Sequence, residues 1–120
     1  QLQSIVSLKG NQSHDIVKKA YQSSHFVILP SDSEGWPKVI AEGMFWGCVP
    51  LATSVSCVPF MLDYGKRGVL LGMNLEIDSD KIEAILKDQT DFDAKKNKAA
   101  EWSRMFTLDV FEEAIKELIV

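Results

Sequence analysis

The sequence predicts an α/β fold in which a parallel sheet of three or four strands carries helices on both faces, followed by a helical C-terminal tail. Three observations favour this fold. Short apolar runs alternate with segments of helical periodicity, and the loops between them are short, as in right-handed crossovers between parallel strands. The run His25–Leu29 is continuously apolar, which is typical of strands covered on both faces. At 120 residues the chain suits a single domain over 1–120, with about 79–120 as the tail.

The first elements are a predicted strand and a predicted helix. Residues Ser4–Leu8 form a short β-branched run that stops at Gly10, which indicates a strand ending in a loop. Ser13 is a suitable N-cap for a helix that runs to about Ser23. Its apolar positions recur at the spacing of one buried face, namely Ile16, Val17, Ala20 and Tyr21.

The middle of the chain predicts strand, helix and strand in turn. His25–Leu29 is a strand closed by Pro30, and Pro37 opens a helix that ends near Gly47. Proline suits the first helical position because the missing N–H would have no partner there. A third strand covers Val49–Thr53, with its proline near the start where the loss of an N–H does least harm.

The remaining elements are a short turn of helix, a strand and three helices. Pro59–Asp63 predicts one or two helical turns, Tyr64–Gly68 a turn, and Val69–Leu71 a short last strand. The tail is helical at about 80–89, 92–104 and 108–119, with Asp91 and Asp109 near helix starts. We expect its aromatic residues to contact the core or a missing domain: Trp102, Phe106 and Phe111.

Composition and charge restrict the classes of function. The net charge is −4 and the pI is near 5.1, so the chain lacks the basic surface that nucleic-acid binding requires. No apolar run is long enough to span a bilayer, and the first ten residues resemble neither a signal nor a transit peptide. Cys48 and Cys57 lack metal-ligand spacing and are expected to be free thiols of a reducing, cytoplasmic compartment.

The chain begins without an initiator Met, as a piece cut from a longer enzyme would, and the missing strands are expected upstream of Gln1.

The loop after the second strand is the candidate site, because ligands of open α/β sheets bind at the carboxyl ends of the strands. This polar loop, Ser31–Gly35, leads into a helix whose first amides have no internal partner. Pro37 cannot donate, but the amides of Lys38 and Val39 can, so the sequence predicts an anion site suited to a phosphate.

Two carboxylates stand eight residues apart in this segment. Glu34 lies in the loop, where it can reach the hydroxyl groups of a ligand. Glu42 lies inside the helix among Val39, Ile40, Ala41 and Met44, so we expect it to be buried. Burial of a carboxylate is costly unless it is paired. A vicinal diol such as a ribose would satisfy it.

This segment resembles the Glu-x7-Glu region of retaining GT-B glycosyltransferases of family four. The matching string is Ser31-x-x-Glu34-Gly35-Trp36-Pro37-x-Val39-x-x-Glu42-x-Met44, then Gly47-x-x-Pro50-x-Ala52-Thr53. Val58-Pro59 and Gly65-x-x-Gly68 also fit, so the resemblance covers roughly residues 5 to 90. It implies that the chain is the donor-binding C-terminal part, half of a GT-B fold with a partial Rossmann-like sheet.

The resemblance also implies a role for each matching residue. Glu34 corresponds to the glutamate beside the donor sugar and is the candidate catalytic residue, while Glu42 corresponds to the glutamate that holds the ribose hydroxyls. The other candidate substrate-binding residues lie around them: Ser31, Gly35, Trp36, Pro37, Lys38 and Val39. Gly10 and its neighbours match the loop near the base. Where the family has Gly-Gly-x-Pro-Glu, this chain has Ser56-Cys57-Val58-Pro59-Phe60 and loses a polar contact.

The implied reaction moves a sugar from a nucleotide-diphosphate donor to an acceptor hydroxyl with retention of configuration, as hexosyltransferases of polysaccharide biosynthesis do. It requires no cofactor and no bound metal. The implied partners are the nucleotide sugar and an N-terminal acceptor-binding domain of the same chain, and peripheral membrane association of the full-length enzyme stays open. The upstream Arg and Lys for the diphosphate are absent, so the isolated piece is expected to be inactive. Two alternatives are a GT-B sugar-nucleotide epimerase and a non-catalytic, doubly wound signalling or interaction domain.

Overall fold

The computed structural model describes residues 2–119, and it confirms the predicted α/β fold. Three strands form the sheet: β1 (Phe26–Leu29), β2 (Val49–Thr53) and β3 (Val69–Leu71). Six α-helices accompany it within the described range: α1 (His14–Ser23), α2 (Lys38–Phe45), α3 (Val58–Met61), α4 (Leu75–Lys87), α5 (Gln89–Ser103) and α6 (Leu108–Ile119). Two short 3-10 helices cover Leu2–Ser4 and Asp63–Gly65.

The sheet is parallel throughout and its strands lie in chain order, β1-β2-β3. The central strand, β2, is buried along its whole length, although its second residue is Pro50. Val49 N–H donates towards β1, to the His25 carbonyl at 2.9 Å, so the Pro50 nitrogen faces β3. Pairing with β3 begins only at Leu51. The missing N–H of Pro50 therefore costs no bond in the sheet.

Helices cover both faces of the sheet and bury two separate hydrophobic clusters. On one face α2 and α3 pack on the strands, and the cluster contains Val27, Ile40, Met44, Cys48, Ala52, Val58, Met61, Leu62 and Ala99. On the other face α4 and the start of α5 complete the cluster of Val49, Leu51, Val69, Leu71, Ile85 and Phe92. Helix α5 reaches both clusters, through Phe92 near its start and Ala99 near its end.

The prediction of a strand at Ser4–Leu8 is wrong. The segment begins in a 3-10 helix and has no regular structure from residue 6 to residue 13. Its apolar side chains are exposed, Leu8 to 94%. A single strand is stable only beside a neighbour that completes its hydrogen bonds. Within residues 2–119, β1 pairs with β2 alone, so the segment has no such neighbour.

Several helix boundaries and faces also differ from the sequence prediction. Helix α1 forms as predicted, with Ser13 Oγ accepting from Ile16 N–H at 3.4 Å. Its apolar face is only half-buried, at Val17 and Tyr21, whereas Ile16 and Ala20 are exposed. Helices α4 and α5 start earlier than expected because Asn74 and Asp88 cap them, accepting from Ile77 N–H and Asp91 N–H at 3.0 Å each.

Candidate functional site

The candidate site lies at the carboxyl edge of the sheet, where the loop from Pro30 to Pro37 joins β1 to α2. Pro37 is the N-cap of α2 rather than its first helical residue, because α2 starts at Lys38. The amides of Ile40 and Ala41 donate to the Pro37 carbonyl, at 3.1 and 3.3 Å. The two amides before them, of Lys38 and Val39, precede the first carbonyl that the helix can offer. They form the positive end of the α2 dipole, next to the loop.

Inside the loop, Ser31 and Glu34 contact each other directly. Ser31 Oγ donates to Glu34 Oε1 at 2.7 Å, and both side chains are half-buried. A hydrogen bond of this length to a carboxylate is a strong one and fixes the direction of the acid. Ser31, predicted to bind substrate, thus contacts the predicted catalytic residue directly.

The rest of the loop is held from a neighbouring segment between β2 and α3. The Gly35 carbonyl accepts from Cys57 Sγ at 2.8 Å and from Ser56 Oγ at 3.5 Å. Trp36, 49% exposed, has its ring centroid 6.2 Å from that of Trp102, and Pro37 is buried. Trp36 is thus not a core residue.

Glu42 is exposed, so the prediction that it is buried is wrong. The residues that α2 buries are Ile40, Gly43 and Met44. Helical residues two positions apart lie on opposite sides, so Ile40 and Met44 face the sheet while Glu42 faces outward, above Lys38 and beside Trp46. The apolar neighbours of Glu42 in the sequence are not its neighbours in space.

Glu42 nevertheless lies in a groove between α1 and α2. The cavity measures about 290 Å³ and is lined by His14, Asp15, Val17, Lys18, Tyr21, Glu42 and Trp46. Tyr21 Oη donates to Glu42 Oε2 at 3.4 Å. Burial raises the pKa of Tyr21 above its ordinary value, and the negative charge and hydrogen bond of Glu42 raise it further. Lys18 Nζ lies 4.6 Å from the centroid of the Trp46 ring and adds a cation to the groove.

A second cavity, of about 310 Å³, lies on the other side of Glu42, between α2 and the end of α5. Its walls are mostly aromatic: Trp36, Phe45, Trp46, Trp102 and Phe106. Trp102 is half-buried and stacks on the Arg67 guanidinium at 4.4 Å, but Phe106 and Phe111 are exposed.

The sequence did not identify Tyr21 or Cys57 as site residues. Helical periodicity places Tyr21 on a face expected to be buried in the core, and a lone Cys57 carries no spacing signal.

Comparison with protein families connects this geometry to a known group of enzymes. The family model described as glycosyl transferases group 1 matches residues 1–103. The chain belongs to this family. It is therefore a GT-B glycosyltransferase domain, and glycosyl transfer is the activity of its class. A comparison with curated proteins gives no match, and the matched range ends before α6.

Two further observations concern metals and membranes. Among the residues that the structure describes, no group of three or more His, Cys, Asp or Glu side chains is placed to hold a metal ion. None of the helices between residues 2 and 119 has the length and hydrophobicity that crossing a bilayer requires.

Proposed function

We propose that this glycosyltransferase domain binds a nucleotide-diphosphate sugar and supplies the donor site for transfer to an acceptor hydroxyl with retention of configuration. The acceptor would bind to a further domain at the N-terminal side of the same protein. The observation that carries the proposal is the pair of free α2 amides, Lys38 and Val39, beside the loop that holds Glu34.

The leaving group of such a reaction is a diphosphate, on which negative charge grows in the transition state. Amides at a helix N-terminus are fixed donors for this charge and need no reorganisation when it develops. Pro37 fixes the backbone that leads into α2 but has no N–H to donate, so the amide donors begin at Lys38. In this proposal the Lys38 and Val39 amides bind the diphosphate, and Gly35, Trp36 and Pro37 provide backbone and wall beside the sugar.

The nucleoside would occupy the groove between α1 and α2. Glu42 lines this groove, and its side-chain oxygens can accept hydrogen bonds from the two hydroxyls of a ribose. The position of Glu42 carries the ribose assignment. Glu42 lies one helical turn beyond Lys38 on the same side of α2, within the groove where the ribose of a diphosphate bound at the Lys38 and Val39 amides would lie.

Glu34 would act at the donor sugar. Its orientation is fixed by Ser31, which leaves Oε2 available to the ligand while Oε1 accepts the Ser31 hydroxyl. Both cysteines are free thiols, and this supports a reducing compartment such as the cytoplasm for the reaction.

The experiment is calorimetric titration of the full-length protein that contains this chain with UDP, GDP and ADP, repeated on Glu42→Ala. The proposal predicts that one of the three nucleotides binds and that Glu42→Ala weakens it by about 10-fold or more, the effect of losing hydrogen bonds to a charged group. Glu76→Ala, an exposed glutamate of α4 on the other face of the sheet, is the matched control and should bind normally. Equal affinity in Glu42→Ala and the control would contradict the ribose assignment, and absence of binding by all three nucleotides in the wild-type protein would contradict the donor site.

A further inference from the structure

The loop that carries Glu34 has no regular secondary structure from Pro30 to Pro37. Its orientation therefore depends on contacts made by individual groups. One of them is internal, between Ser31 and Glu34. The backbone is held from outside at the Gly35 carbonyl, one residue after Glu34, by the Cys57 thiol and the Ser56 hydroxyl.

The group that holds Gly35 belongs to a rigid part of the molecule. Cys57 is the N-cap of α3, whose residues Val58 and Met61 are fully buried. The far end of α3 is held by Arg67, which donates to the carbonyls of Phe60 and Met61 at 2.8 and 2.9 Å. Because both ends of α3 are fixed, the thiol of Cys57 has a fixed position against which the loop can be held.

The geometry of the two contacts with Gly35 is unequal. The Cys57 Sγ to Gly35 oxygen distance is 2.8 Å, whereas Ser56 Oγ is 3.5 Å away, at the limit of a hydrogen bond. Cys57 is thus the closer of the two side-chain donors that reach the loop backbone from outside.

We propose that Cys57 is a positioning residue for Glu34: its thiol holds the Gly35 carbonyl and thereby sets where the Glu34 carboxylate stands relative to the donor sugar. Cys57 does not touch the reacting atoms. The proposal rests on the donor site proposed above. It adds to that site a residue from the connection between β2 and α3, outside the Ser31–Val39 segment.

The test compares Cys57→Ala, which removes the donor, with Cys57→Ser, which keeps a hydroxyl donor at the same position. Both are made in the full-length enzyme, and kcat and donor KM are measured per folded molecule. We expect Cys57→Ala to lower kcat by about 2- to 10-fold, the effect of one net hydrogen bond, with a smaller change in donor KM. Cys57→Ser should recover most of the loss, and Ser56→Ala should have a weaker effect than Cys57→Ala.

A second readout does not depend on turnover. Hydrogen exchange of the amides in residues 31–36 should be faster in Cys57→Ala than in Cys57→Ser at equal global stability, because the loop opens more often when its hydrogen bond to Cys57 is lost. Equal exchange in the two variants, or equal kcat in an active enzyme, would overturn the proposal and leave the donor site standing. If the wild-type enzyme turned over no nucleotide sugar while the loop still loosened in Cys57→Ala, the anchoring would hold but the role at Glu34 would be overturned together with the proposed function.

Discussion

At the scale of single residues, the hydrogen bond between Tyr21 and Glu42 joins α1 to α2 across the candidate nucleoside groove. Burial, then the Glu42 charge and hydrogen bond, raise the pKa of Tyr21 above its ordinary value of 10.0. The folded chain therefore binds the phenol proton more tightly than the unfolded chain does. The stability from this difference is complete below pH 10.0 and is lost as the pH rises through the raised pKa.

We predict that Glu42→Gln lowers the pKa of Tyr21, because the substitution removes the negative charge that opposes ionisation. The chain has two tyrosines, Tyr21 and Tyr64, so the titration is followed by tyrosinate absorbance in a Tyr64→Phe background. The same background with Glu42 intact is the reference. An unchanged titration midpoint would show that the two side chains do not meet in solution.

The placement of Glu42 also shows what could be predicted at this scale. The candidate loop, the Lys38 and Val39 amides and the two glutamates were identified from residue order and helix chemistry alone. The apolar neighbours of Glu42 in the sequence suggest burial, but its position around the α2 axis, two residues from Ile40, places it on the exposed side. The spacing of Ile40 and Met44, one helical turn apart, is sufficient to place the buried side of α2 away from Glu42. The contact with Tyr21, 21 residues away, had no local signal.

At the scale of elements, the packing of α2 on β1 depends on a close approach at Gly43. A Cβ built on Gly43 would lie 2.5 Å from Val27 Cγ1 and 2.8 Å from Val27 Cβ. Rotation about χ1 of Val27 moves its methyl groups but not its Cβ, so a side chain at position 43 forces the helix away from the strand. Since α2 carries the Lys38 and Val39 amides, the close packing of α2 on β1 at Gly43 also sets the distance between these amides and the sheet.

We predict that Gly43→Ala destabilises the fold. Overpacking of a core lowers the free energy of unfolding by about 1–3 kcal/mol. The better helix propensity of Ala offsets up to about 1 kcal/mol of this loss. Thermal and denaturant unfolding measure the difference. Gly35→Ala is the matched control, because a Cβ there meets nothing within 4 Å. A Gly43→Ala protein as stable as the wild type would mean that α2 does not pack this closely on β1.

The elements themselves were predictable where local rules decide them. β1, β2 and β3 are continuous apolar runs bounded by Pro, Gly and polar residues, and α1 begins at a Ser cap. The segment Ser4–Leu8 also has a short β-branched run, but a strand needs a partner strand as well, which the described residues do not supply. The local sequence indicates that a segment can adopt an extended backbone, but a strand forms only where a neighbouring strand completes its hydrogen bonds.

At the scale of the whole molecule, the chain is longer than a compact domain of its size. The radius of gyration is 15.7 Å and the longest extent 59 Å, whereas about 14 Å is expected for a compact chain of this length. Helix α6 contributes to this shape, since none of its residues is buried. Four of its exposed apolar side chains follow one stripe, at Leu108, Phe111, Ile115 and Leu118. The amphipathic pattern predicted the helix, but it does not specify what the stripe contacts.

Binding of a diphosphate by the first amides of α2 can be tested by NMR on the isotope-labelled protein, with its backbone amides followed during titration with the nucleoside diphosphate that binds. The amide signals of Lys38 and Val39 should shift most, with smaller shifts at Gly35 and Glu42, because the first amides of α2 hold the diphosphate. Signals of α4, on the other face of the sheet, should stay in place. Saturable binding that leaves Lys38 and Val39 unmoved while residues elsewhere shift would contradict this assignment of the diphosphate site.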